Sequence, residues 1–132
     1  MSDLDVWVEI ADVEQVPVDR GVAALVGGVA VAIFRLRATD TEPESWFCIQ
    51  HADPVTGSPV LARGLVGSRG DVPTVASPIY KERYDLRTGV GLDDPTQVLR
   101  THEVRVAHGV VSVRLTAAKA DIDLTVEKVT AG

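Results

Sequence analysis

Ser77-Pro78-Ile79-Tyr80-Lys81-Glu82-Arg83-Tyr84-Asp85-Leu86-Arg87-Thr88-Gly89 opens on a Ser-Pro turn and runs through residues 83–92, where Arg87-Thr88-Gly89 marks a turn between short strands. A serine before proline can satisfy a local backbone group in such a turn. Upstream, across residues 51–78, Pro54, Gly57, Pro59, Gly64, Gly67, Gly70, Pro73 and Pro78 break the chain into turns and short extended pieces. A stretch of that length without a regular element usually carries a function. Downstream lies the clearest hairpin: Val104 and Val106 alternate with Glu103, Arg105 and Ala107, His108-Gly109 turns, and residues 110–115 return. Toward the N-terminus, residues 6–10 read as a first strand. Residues 21–26 and 29–36 form a hairpin around Gly27-Gly28, and residues 45–50 read as a further strand.

Valine fills 23 of the 132 positions, and this β-branched bias in short runs argues for strands rather than helices. The expected fold is all-β, a small antiparallel β-sandwich or barrel with long apical loops. One domain is expected over residues 1–115. Residues 116–132 form a C-terminal extension, in which Ile122, Leu124 and Val126 alternate with Asp121, Asp123, Thr125 and Glu127 in the manner of an added edge strand.

Thirteen basic against nineteen acidic residues leave a net charge of −6, which disfavours nucleic acid as a partner. The longest apolar stretch, residues 21–34, is interrupted by Gly27-Gly28 and is too short for a membrane span. The N-terminal residues lack the basic and apolar regions of a signal peptide, and the single cysteine, Cys48, permits no intrachain disulfide. A cytoplasmic location is expected. Cys48 reads as a small buried hydrophobe, and Trp7, Trp46 and Phe47 as core or sheet-face residues.

The run at 77–89 resembles the second half of a Rieske iron–sulfur domain, in which a Cys-Pro-x-His pair precedes an aromatic-Asp-Leu-x-Thr-Gly turn. Rieske centres take one cysteine and one histidine from each of two loops. Here Ser77 stands at the cysteine position and Tyr80 at the histidine position, while His51 and Asp53 are the counterparts in the first loop. With one cysteine in the chain, two thiolates cannot be supplied.

One branch of that superfamily lacks these ligands: the small subunit of NAD(P)H-dependent assimilatory nitrite reductase. Asp53-Pro54-Val55-Thr56-Gly57, the segment 60–70, Val75-Ala76-Ser77-Pro78-Ile79-Tyr80-Lys81 and Leu92-Asp93-Asp94-Pro95 resemble its motifs in order, over roughly residues 6–115. The resemblance implies a non-catalytic subunit without a cofactor of its own. Its partner would be the large subunit of nitrite reductase, which carries FAD, sirohaem and a [4Fe-4S] cluster and reduces nitrite to ammonium. Within residues 61–90 five basic residues face three acidic ones, so a locally basic apex sits on an acidic body. Arg63, Arg69, Lys81 and Arg83 are the expected docking residues, against the plainer alternative of a solvated rim or internal ion pairs.

Two other readings stay open at this level. One is a free-standing clusterless interaction module serving another oxidoreductase. The other is an enzyme with an unusual metal held by His51 and Asp53 together with His102 or His108. Neither reading gives Ser77 a nucleophilic role, since no base and orienting group accompany it. His108 reads as a turn residue and His102 as a half-exposed strand opener.

Overall fold

The structure, a computed structural model, describes residues 6–79 and 82–116. Tyr80, Lys81 and residues 117–132 lie outside the described residues, and with them the proposed edge strand and two of the expected site positions.

Six strands form one antiparallel sheet in the order β1-β9-β8-β4-β3-β2. They are β1 (Val8–Asp12), β2 (Arg20–Val26), β3 (Val29–Leu36), β4 (Ser45–Gln50), β8 (Thr101–Ala107) and β9 (Val110–Arg114). The sheet curls into a nearly closed barrel. Three further strands, β5 (Leu65–Arg69), β6 (Val72–Ala76) and β7 (Arg83–Asp85), make a small sheet in the order β5-β6-β7. The all-β expectation holds, and among the described residues no helix is long and apolar enough to cross a membrane.

Alternation along β3 and β4 explains why there are two cores. Val31, Ile33 and Cys48 point into the barrel and pack with Ile10, Ala24, Val26 and Val111. Their neighbours Ala32, Phe34 and Ile49 point the other way and pack with Leu61, Val75, Tyr84, Leu86 and Leu99 beneath the small sheet. A strand buried on both faces reads as a continuous apolar run, as β3 does. The small sheet and its loops are thereby seated on one wall of the barrel.

Two hairpins match the sequence reading. Gly27 and Gly28 have φ of 56° and 77°, and His108 and Gly109 have φ of 54° and 76°. A two-residue turn with positive φ at both positions suits the twist of the strands it joins.

The structure departs from the sequence reading in three places. The first strand begins at Val8 rather than Val6, whose side chain is exposed. Residues 51–78 are more regular than expected: a 3-10 turn, Leu61–Arg63, leads into the β5–β6 hairpin, which turns at Gly70 with φ of 62°. Pro73 is tolerated inside β6 because its backbone faces β7 beyond that strand's last residue, where only its carbonyl is used, accepting from Leu86 N–H at 2.9 Å. His102 is buried, with 7% exposure, rather than half exposed, because it pairs with Cys48 at the closed end of the β4–β8 contact.

Candidate functional site: the joined apical loops

Two loops meet at the apex, one leaving β4 and one leaving β6. The first is folded on Asp53. Its carboxylate Oδ1 accepts the Val55 and Thr56 N–H groups at 2.8 and 3.1 Å, its own N–H donates to Ser58 O at 2.8 Å, and its carbonyl accepts Gly57 N–H at 2.7 Å. This is the self-closing turn that a short acidic side chain favours. Gly57 takes φ of 78° to complete it.

The second loop is folded on Ser77, whose N–H donates to Glu82 O at 3.0 Å and whose Oγ accepts Ile79 N–H at 3.3 Å. The two loops are joined where Ser77 Oγ–H donates to Asp53 Oδ2. Both residues are buried, at 1% and 2% exposure. Burial pushes the Asp53 carboxyl up, but the hydrogen bonds from Ser77, Thr56 and Val55 outweigh it and hold the group below the usual carboxylate range. Asp53 is therefore ionised at neutral pH, and its charge is satisfied within the two loops.

His51 lies at the root of the first loop. Its Nδ1 accepts the Ala62 N–H at 3.1 Å, and its carbonyl accepts Val60 and Leu61 N–H at 3.1 and 3.0 Å. Burial and the neighbouring Arg63 guanidinium hold the imidazole below its ordinary pKa, so it is neutral at pH 7. Its Nδ1 lone pair is engaged by the chain itself.

The structure thus brings together Asp53 and Ser77, one from each loop, and keeps His51 committed to its own loop. The donor set does not fit a two-iron cluster. At the positions that would hold one stand a carboxylate, a hydroxyl and an imidazole whose Nδ1 is already used. The one thiol, Cys48, is buried in the barrel wall, and burial pushes its pKa far up. Among the described residues no group of three or more His, Cys, Asp or Glu is placed to hold a metal ion. His102 and His108 lie on β8 and on the hairpin turn that follows it, so no shared site with His51 and Asp53 forms.

The basic residues divide by environment. Arg63 is exposed and makes no ion pair among the described residues. Arg69 is exposed and pairs with Asp93 at 3.2 Å. Arg83 is half-buried, its guanidinium 3.4 Å from Thr74 Oγ1. Lys81 and Tyr80 lie outside the described residues.

Two features escaped the sequence reading. Buried Glu82 accepts Arg83 and Asp94 N–H at 2.8 Å each and Asp93 N–H at 3.3 Å, clasping the Asp-Asp-Pro loop to the apex. Nothing in a lone glutamate next to a lysine signals this. The second feature is apolar: Val55, Leu65 and Ile79 are exposed at 43%, 75% and 48%. Val55 follows Asp53 by two residues, Ile79 follows Ser77 by two, and Leu65 pairs across the sheet with Ala76. Two of the three thus follow a junction residue along the chain, and the third is paired with the residue before Ser77.

Residues 6–114 match the family described as the Rieske-like [2Fe-2S] domain. The chain is 36% identical over 108 residues to the nitrite reductase (NADH) small subunit of Escherichia coli strain K12, covering 82% of this chain and 96% of that one. The chain belongs to the nitrite reductase small-subunit family. The fold agrees with that placement: the NMR structure of the Escherichia coli protein NirD, at 35% identity, covers 85% of this chain and 98% of its own length with a TM-score of 0.73. This chain's sequence is also similar to part of a larger one. The nitrite reductase [NAD(P)H] large subunit of Klebsiella oxytoca is 34% identical over 107 residues, which is 81% of this chain and 11% of that one.

Proposed function

We propose that this chain is the non-catalytic small subunit of an NAD(P)H-dependent assimilatory nitrite reductase, docking through its apex on the large subunit. The reaction, nitrite to ammonium, belongs to that partner, which supplies FAD, sirohaem and a [4Fe-4S] cluster. The chain works in the cytoplasm and carries no cofactor of its own.

The observation that carries this reading is the Ser77–Asp53 hydrogen bond at the point where two loops of a Rieske-like fold converge. It holds the loops together with ordinary side chains, so the apex keeps its shape without iron. Close to it along the chain or across the β5–β6 ladder are exposed Val55, Leu65, Ile79 and Arg63, while Arg69 stands at the turn end of that hairpin, paired with Asp93. An apolar centre with a charged rim is the usual anatomy of a protein interface. Lys81 and Arg83 complete the proposed basic set. The match of the same sequence to a segment of a large-subunit chain fits two parts that work side by side.

Co-expression of the tagged chain with its cognate sirohaem-containing large subunit tests the proposal. The expected eluate is a coloured complex on size exclusion, with nitrite-dependent NADH oxidation above that of the large subunit alone. A colourless chain eluting by itself would contradict it and would favour a free-standing interaction module.

A further inference from the structure

The two ring nitrogens of His51 have different surroundings. Nδ1 accepts the Ala62 N–H at 3.1 Å, so in the neutral ring the proton sits on Nε2. The His51 carbonyl takes the Val60 and Leu61 N–H groups at 3.1 and 3.0 Å, which ties the residue to the same 3-10 turn and fixes the ring. His51 is half-buried. Its Nε2–H meets no acceptor among the described residues and, unlike His102 Nε2, is not sealed from solvent. A held, partly desolvated donor is therefore left over at the root of the first apical loop.

The 3-10 turn that His51 clasps ends on Arg63, which is exposed and makes no ion pair among the described residues. After burial, the nearness of the Arg63 guanidinium is what holds the His51 imidazole below its ordinary pKa. The pair thus presents one permanent cation beside one neutral N–H. The acid of the same loop is already spent: Asp53 Oδ1 accepts the Val55 and Thr56 N–H groups, and Oδ2 accepts from Ser77. Two adjacent donors, one of them charged, match a carboxylate, whose two oxygens accept from separate directions and whose contact with a guanidinium is charge-assisted.

We propose that His51 Nε2–H and the Arg63 guanidinium together seat one carboxylate side chain of the large subunit. This seat presupposes docking through the apex, and it adds His51 to the docking residues and an aspartate or glutamate to the partner's surface. The fixed imidazole sets where one carboxylate oxygen lies, and the longer, mobile Arg63 side chain supplies the charge that closes on the other.

The test compares Kd for the sirohaem-containing large subunit among the wild-type full chain, His51→Asn, Arg63→Gln and the double variant. Asparagine keeps an acceptor where Nδ1 stood, for the Ala62 N–H, and has no donor where Nε2 stood. Each single variant should bind about five- to ten-fold more weakly. The double variant should lose less than the product of the two fold-changes, because both donors act on one group. Imidazole nitrogen shifts of the free wild-type chain should show Nε2 as the protonated nitrogen. Wild-type affinity in His51→Asn, fold-changes that simply multiply, or a proton on Nδ1 would each overturn the seat while leaving docking intact. No complex between the wild-type chain and the large subunit would instead remove docking itself, and the seat with it.

Discussion

The Ser77–Asp53 contact is the residue on which the apex turns, since removing either partner leaves a buried group with lost hydrogen bonds. Ser77→Ala strips one donor from a buried carboxylate and is expected to cost about 1–3 kcal/mol, measurable as a lower urea midpoint with an unchanged slope. Ser77→Cys would not restore a cluster, because a second thiolate and the imidazole lone pairs are still wanting; iron content after reconstitution would stay at background. His102 governs a separate, milder pH window. Burial, helped by Arg100, pushes its pKa down to about 4. The unfolded chain binds this proton more readily than the folded one between about pH 6.5 and 4. Stability contributed by His102 is therefore present above pH 6.5 and lost as pH falls toward 4, by up to about 3 kcal/mol. His102→Gln should flatten urea stability across that interval; an unchanged pH profile would count against a buried neutral imidazole. Asp53 acts lower on the scale: its contribution is present above the unfolded carboxylate pKa and lost as pH drops through its depressed folded value.

At the scale of elements, legibility followed the locality of the signal. The hairpins at Gly27-Gly28 and His108-Gly109 could be read because positive φ at two adjacent residues is a demand that sequence displays. The β5–β6 hairpin could not, because Gly67, Gly70 and Pro73 look like breakers until the ladder shows which backbone groups go unused. Glu82 and the burial of His102 were equally hidden, both being set by residues ten or more positions away. The convergence of Asp53 with Ser77, twenty-four residues apart, was reachable only through resemblance to a family in which those two loops meet. One turn carries a test of this picture. Gly89 has φ of 81°, its N–H donates to Asp85 O at 2.7 Å, and an added Cβ would collide with the Leu99 carbonyl. Gly89→Ala should cost at least about 1–3 kcal/mol from backbone strain alone and should loosen β7 before the barrel. Hydrogen exchange would register this as faster amides at Tyr84 and Asp85 with β3 unchanged.

Across the whole molecule, one wall of a barrel supports a small sheet, and the small sheet presents two loops stitched together by side chains. The barrel core and the second core beneath the small sheet share β3 and β4, so the apex is held on a rigid base. The net charge of −6 divides into +2 over residues 61–90 and −8 over the rest, and in the proposed docking this asymmetry would favour encounter with an acidic partner surface, an effect that weakens with salt. Arg63→Glu should therefore slow association with the large subunit more at low ionic strength than at high, as read by stopped-flow or surface-based kinetics. The apolar centre is the more demanding part of the claim. Its direct measurement is the Kd of the full chain for the large subunit, wild type against Leu65→Asp, a side chain already 75% exposed and so changeable without disturbing the fold. At least about a ten-fold weaker Kd, corresponding to 1.4 kcal/mol, is the predicted result. Equal affinity for the two proteins, both folded by circular dichroism, would contradict docking through the apex.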